Sequence, residues 1–339
     1  MSDIWNERLQ ALIGLVYDAA LDPARWSEVM TQLAQVYEGR AVLFAEDART
    51  PGASVFGAGL FEDDYLQSYQ EHYTATNIWT PLIEPLATGR TFDARIVPAD
   101  EFERSEWYND WLKPQDLYHS IGFVVANEDG LQTRMSVLRP RRAGSYGEDE
   151  MRAWRILGEH VQRAFQIHRQ LFVAKLERDA AREGLDRLGI AAYVVDADGR
   201  ILSMNRAGSS LLEEGDALSA PSGRIVARRP GATSRLQHLV ASAARTAAAS
   251  GTHSGGAVEL PRKKRRPLSA IVSPMCGNGL GLGISVPAAL LFVRDPDRDA
   301  IGSPEQIKAL FGLTDAEARL AVMADVPSAE TAVIRWKRN

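Results

Sequence analysis

The stretch VVDADGRILSMNRAGSSLL, residues 194–212, decides the fold class. Its apolar run (191–195) meets a second (200–204) across Asp198 and Gly199, a pair suited to a tight turn. Asn205 then stands where a helix needs its first backbone N–H groups satisfied. The reading is a hairpin running into a helix. Downstream, TSRLQHLVASAARTAAAS has the composition of another helix, GAVELP and RPLSAIVSPM read as strands, and AALLFVRDP reads as a buried strand bounded by proline. Two strands, two helices and three more antiparallel strands make an α+β layer with one helical face, which we place at 185–298.

Upstream, residues 5–36 read as two helices, with Ile4, Leu9, Leu12, Ile13 and Val16 at helical spacing and Asp22 before Pro23 as an N-cap before an N1 proline. AVLFAE reads as a strand, and RTPGASVFGAG after it as a glycine- and proline-rich turn. FEDDYLQSYQEHYTATNIW predicts one helix on which Tyr65, Tyr69 and Tyr73, spaced by four, share a face. Aromatic helical pieces (SEWYNDWLKPQDLYHS) precede two strands, IGFVVANEDG and LQTRMSVLRP, joined at Glu128, Asp129 and Gly130. This is a second α+β domain, 1–150. Between the two domains a long helix starts near Gly147, and Leu157, Val161, Phe165, Phe172 and Leu176 recur along it at helical steps. Residues 151–184 are thus a connector whose stripe serves as a homodimer seam over 154–187, as packing on its own domain, or as both.

The 339 residues are enough for two domains and a fragment, and 45% apolar with 24% charged residues is the balance of an ordinary globular protein. The one cysteine, Cys276, cannot close an internal disulfide. With no apolar run of membrane-spanning length and no signal-peptide pattern, a cytoplasmic location without membrane attachment is expected. Residues 1–175 carry 26 acidic and 17 basic side chains, and residues 176–339 carry 18 and 22, so the second half is better suited to approach phosphate. The same asymmetry is also common between ordinary domains.

The order of YDAALDPARWSEVM, EWYNDWLKPQDLYHSIGF, LGEHVQRAFQIHRQL, the 194–212 stretch and LFGLTDAEARLAV resembles proteobacterial LuxR-type helix-turn-helix regulators with a GAF/PAS-like sensor region. In the 194–212 stretch itself, Asp196, Gly199 and Asn205 stand where a PAS domain often places its turn and helix-entry residues. The resemblance implies a GAF/PAS-like sensor domain, then a PAS domain, then a DNA-binding segment beginning with Leu313, Thr314, Glu317 and Ala318. Thr314 and Glu317 also make a capping box. After Val322 the sequence departs from the family pattern. The 17 residues that follow are too few for both a positioning and a recognition helix, so residues 304–339 are expected to be the start of an incomplete helical output segment. Arg335, Lys337 and Arg338 would then contact DNA only weakly, through phosphates, and sequence-specific binding is not expected.

The best candidate for a small-molecule pocket is the aromatic set Tyr65, Tyr69, Tyr73, Trp79, Trp107, Tyr108, Trp111 and Tyr118, because such side chains combine apolar bulk with a hydroxyl or indole donor. Its alternative is an aromatic core. In the acyl-homoserine-lactone-binding branch of the family, aromatics on such a helix and a following aspartate hold the ligand. Tyr65 and Tyr69 stand at the aromatic positions, and Asn77 stands at the acidic one. Ligand identity is not legible. No nucleophile–base constellation is visible, so no enzyme, cofactor or metal is expected. His160 and His168, about 12 Å apart by helical rise, are too distant to share an ion. CGNGLGLG (276–283) lacks the lysine of a phosphate loop and reads as a hairpin loop. Arg262, Lys263, Lys264, Arg265 and Arg266 read as a solvated hairpin tip, with contact to nucleic acid as the alternative.

Overall fold

The computed structural model describes residues 3–47, 50–128, 130–247, 255–275 and 288–297, with 308, 314 and 315. The chain forms two units, Met1–Lys175 and Leu176–Asn339, and both are α+β with antiparallel sheets.

In the first unit, helices α1 (Asp3–Leu21) and α2 (Trp26–Val36) are joined by a 3-10 turn, Pro23–Arg25, whose N–H at Ala24 donates to the Asp22 carboxylate as the Asp-Pro pair predicts. Strands β1 (Arg40–Asp47) and β2 (Thr50–Gly59) follow. Next come α3 (Asp63–Ser68), a π turn (Tyr69–Tyr73) and α4 (Thr74–Thr76), then α5 (Thr80–Ile83), β3 (Thr91–Asp93), α6 (Ala99–Arg104) and a second π turn (Trp107–Leu112). Strands β4 (His119–Glu128) and β5 (Leu131–Arg139) lead into α7 (Glu148–Arg187). At the start of α7 the Glu150 carboxylate accepts the Gly147 N–H, a capping contact that fixes where the helix begins.

The sheet order is β2-β1-β5-β4-β3, and both of its faces are buried. Ala41, Leu43, Ile121, Phe123, Val125, Met135 and Val137 pack on α1, α2 and the first part of α7, where Trp154, Leu157, Val161 and Phe165 are buried. The residues between them, Val42, Phe44, Val124 and Leu138, join a second core with the aromatic residues of the helical pieces between Tyr69 and Leu117. Strand alternation thus divides one sheet between two cores. Along α7, Phe172 (61% exposed) and Leu176 (58%) lie beyond that packing, with Leu171 and Val173 also exposed.

Two expectations for this unit are corrected. RTPGASVFGAG is not a turn, because β2 runs through it and pairs with β1 along its length. Its glycines serve tertiary approach: a Cβ on Gly57 would lie 2.7 Å from the Trp26 carbonyl carbon, and one on Gly59 would lie 2.2 Å from the Met30 carbonyl oxygen. Only glycine lets β2 lie this close to the backbone of α2. Nor do Tyr65, Tyr69 and Tyr73 share one face of a regular α-helix. The π turn widens the spiral at Tyr69, which is buried while the other two are only partly so.

In the second unit, β6 (Ile190–Asp196), β7 (Ile201–Met204), α8 (Arg206–Glu214), β8 (Leu218–Ser219), β9 (Val226–Ala227), α9 (Pro230–Ala247), β10 (Gly256–Leu260), β11 (Leu268–Pro274) and β12 (Ala288–Arg294) follow in order. The main sheet reads β10-β11-β12-β6-β7. Counted within its own unit this is the strand order of the first sheet, so one topology occurs twice. The turn works as read: the Asp196 carboxylate accepts the N–H groups of Asp198 and Arg200, and Gly199 takes φ +77°. Asn205 is buried, with its Oδ1 accepting from Gly208 N (3.0 Å) and Ala192 N (2.9 Å) and its Nδ2 donating to the Ile190 carbonyl (2.8 Å). One side chain caps α8 and ties it to β6.

The basic turn differs from expectation at one residue. Arg262 is not solvated: its guanidinium is buried against Asp295, at 2.6 and 2.8 Å, and Asp297, because the acids after β12 come back beside the β10–β11 turn. Lys263, Lys264, Arg265 and Arg266 are exposed, as a hairpin tip would have them, and Arg266 pairs with Asp297. Of 304–339, Thr314 is non-helical and Asp315 helical, while Glu317, Arg335, Lys337 and Arg338 lie outside the described residues, as does the 276–283 loop with Cys276.

Two substitutions test these packing arguments. Gly59→Ala should lower the urea midpoint by the equivalent of about 1–3 kcal/mol through overpacking on α2, whereas Gly14→Ala, in open space on α1, should raise it by roughly 0.5–1 kcal/mol. Asn205→Ala should cost about 2 kcal/mol, more than a surface cap, since it also strands the Ala192 N–H; differential scanning calorimetry would read this.

Candidate functional site

Between the second face of the first sheet and the helical pieces lies a partly open cavity, with about 570 Å³ of space not filled by atoms when the open solvent at its mouth is included. Its floor is made by strand positions two apart: Val42 and Phe44 from β1, and Arg134, Ser136 and Leu138 from β5, with Ser120 from β4. Its cover comes from Leu66, Tyr69, Asn77, Trp79, Ile83, Phe92, Trp107 and Trp111. Rings pack on one another across that cover. Trp79 stands edge-on to Trp107 with centroids 4.5 Å apart, Trp107 stacks on Trp111 at 6.2 Å, and Tyr69 meets Trp111 at 5.1 Å.

Beneath the aromatics runs a buried polar chain. Arg134 is 2% exposed, is paired with the Glu46 carboxylate and lies 5.0 Å over the Phe44 ring. Burial pulls its pKa down to about 10, still well above neutral pH, so the guanidinium stays charged and the pair is neutral as a whole. Tyr69 donates its hydroxyl to Glu46 Oε1 (2.8 Å) and accepts from Asn77 Nδ2 (2.9 Å), and Asn77 Oδ1 accepts the Trp79 N–H (3.0 Å). Burial holds the Tyr69 phenol protonated, far above its ordinary range. The chain Arg134, Glu46, Tyr69, Asn77 joins the sheet to the aromatic cover.

Five of the nine sequence candidates, Tyr69, Asn77, Trp79, Trp107 and Trp111, therefore meet in the cavity wall. Tyr65 and Tyr73 pack behind it. Trp111 donates its indole N–H to the Tyr65 carbonyl at 3.0 Å, and Tyr73 lies 6.4 Å from the Trp111 ring. Tyr108 and Tyr118 stand apart, their ring centroids 5.7 Å from each other, with Tyr118 donating to Glu103 at 2.8 Å under the Arg141 guanidinium. Sequence reasoning missed Arg134, Glu46 and Ser120. The available signal was Arg134 itself, a charge inside the otherwise strand-like LQTRMSVLRP, which only a buried partner makes tolerable.

Six buried side-chain donors have no hydrogen-bond partner among the described residues, and four of them belong to this wall: Trp79 Nε1, Trp107 Nε1, Ser120 Oγ and Arg134 Nε. The other two, on Trp26 and Trp154, sit in the core on the opposite face of the sheet. Buried polar groups are ordinarily paired, so four unpaired groups around one cavity are a local concentration that needs a cause. Among the described residues no group of His, Cys, Asp or Glu is arranged to hold a metal, and no helix is long and apolar enough to cross a membrane.

No protein-family model matches the chain, and no curated protein matches it. Among solved structures it is similar to the VqsR LBD domain from Pseudomonas aeruginosa, at 13% identity over 50% of this chain and 98% of that one, with a TM-score of 0.40. It is also similar to the GAF domain of a phosphoenolpyruvate-protein phosphotransferase from Coxiella burnetii (12% identity, 49% and 98% covered, TM-score 0.33). A third is the phycoerythrobilin-bound GAF domain from a cyanobacterial phytochrome (10%, 51% and 100%, 0.34). Likeness at this level is one of outline, and the α+β fold of each unit stands on its own strand order.

Proposed function

We propose that the chain is a cytoplasmic, ligand-responsive signalling protein whose sensor is the unit Met1–Lys175, with the aromatic cavity as its small-molecule site. The observation that carries this reading is the set of four unpaired buried groups on one cavity wall, which a bound ligand would satisfy. On this reading the chain is not an enzyme. The cavity brings together no nucleophile and base, and its one ion pair, Arg134 with Glu46, is internally neutralised.

The output we infer is transcriptional, as a regulator of LuxR type acting as a homodimer through α7. The sequence resemblance supports the regulator, and the exposed Leu171, Phe172, Val173 and Leu176 support the dimer, since large apolar side chains on one stretch of helix gain by mutual burial. A ligand would then act by population shift, favouring one arrangement of the sensor core in which the first part of α7 is packed. The same exposed stripe fits the alternative of an interaction module without DNA output that pairs with related regulators.

The cavity is testable with the hydrocarbon fluorophore pyrene, which has neither a donor nor an acceptor. Saturable binding at one site per chain is expected, and Ser120→Phe, which fills the floor, should abolish it with the far-UV circular dichroism unchanged; an unaltered titration would place the dye elsewhere. For α7, sedimentation should give a dimer that Phe172→Asp dissociates, because each large apolar side chain buried in the seam is worth about 1.5–3 kcal/mol. An unchanged mass for the variant would remove the seam from this helix.

A further inference from the structure

We infer that the cavity selects neutral ligands that carry hydrogen-bond acceptors and no donor, the simplest class being an apolar chain or ring bearing a ketone or ester carbonyl. This rests on the reading of the cavity as a ligand site and deepens it.

The argument is a balance of donors and acceptors. Trp79 Nε1, Trp107 Nε1 and Arg134 Nε can only donate, and none has a partner among the described residues; the Ser120 hydroxyl can do either. The acceptors nearby are engaged. Glu46 receives Arg134 and the Tyr69 hydroxyl, Asn77 Oδ1 receives the Trp79 backbone N–H, and the Tyr69 oxygen receives Asn77 Nδ2. A carbonyl oxygen entering this wall meets donors on several sides. A ligand N–H finds among these groups only the Ser120 hydroxyl without a partner to receive it, and accepting there leaves the three donor-only groups still unpaired. Charge is excluded by a separate observation: Arg134 and Glu46 cancel, so a carboxylate would be desolvated against a wall without net charge. Apolar bulk is required by the rest of the lining, including Val42, Phe44, Ile83 and Leu138.

The test is competition on the full chain, with pyrene displaced by three molecules having the same number of non-hydrogen atoms: 2-nonanone, N-hexylacetamide and octanoate. We expect the ketone to displace the dye at concentrations at least about tenfold below the amide or the carboxylate, as one unsatisfied buried group would dictate. Trp79→Phe and Trp107→Phe, which delete a donor while keeping an aromatic ring, should each weaken the ketone by about fivefold or more relative to the dye, whose own affinity is titrated on each variant. Displacement by the amide or octanoate at least as good as by the ketone overturns the ligand class while leaving the cavity a binding site. So does displacement by none of the three, or a ketone affinity indifferent to both tryptophan variants. Failure of the dye itself to bind overturns the site and the class together.

Discussion

The first unit depends on one buried ion pair, Arg134 with Glu46. Phe44 and Val124 stand opposite Arg134 on the neighbouring strands, so the charge lies in the middle of the sheet rather than at an edge. A lone guanidinium there would be prohibitively desolvated, and the carboxylate two residues beyond Phe44 makes it tolerable. Once present, Glu46 also fixes Tyr69, Tyr69 fixes Asn77, and Asn77 fixes the backbone at Trp79. The aromatic cover is therefore registered on the sheet by a directional polar chain, which ring packing alone would not specify.

That chain also explains how a cavity persists inside an aromatic cluster. Rings packed only by area tend to close any gap they leave, since cavity lining forfeits contact energy. Here the floor is held by strand pairing and the cover by hydrogen bonds to it, so collapse would have to break one or the other. On the opposite face an ion pair, Arg139 with Glu150 at 2.6 Å, ties the sheet to the start of α7, and Leu43, Ile121, Phe123, Met135 and Trp154 pack in the core of that face.

What could be read from the sequence divides along the range of the interactions involved. The hairpin and helix at 190–214 were legible because Asp196, Gly199 and Asn205 act on backbone within a few residues, and Asp22 before Pro23 is equally local. The aromatic residues were legible as a group, and four of them, Tyr69, Trp79, Trp107 and Trp111, meet in the wall with Asn77. The β2 strand was not, because Gly57 and Gly59 answer to α2 and carry the same letters that a turn would. Glu46 and Arg134 were not, since the partners are 88 residues apart and neither has a local reason to be charged. Arg262 misled for the same reason: within its basic run nothing distinguishes the one guanidinium that Asp295 and Asp297 bury.

The two π turns, Tyr69–Tyr73 and Trp107–Leu112, have a mechanical meaning. Each spends an extra residue in one loop of helix, and tightening back to the ordinary spiral would advance everything downstream by about 100° around the axis. In the first turn such a slip would carry Asn77 away from the Tyr69 hydroxyl and withdraw the Trp79 ring from its place over Phe102, where the two stack at 5.3 Å. The Tyr69–Trp111 ring contact bridges the two turns, so that rewinding either spiral would also pull these rings apart.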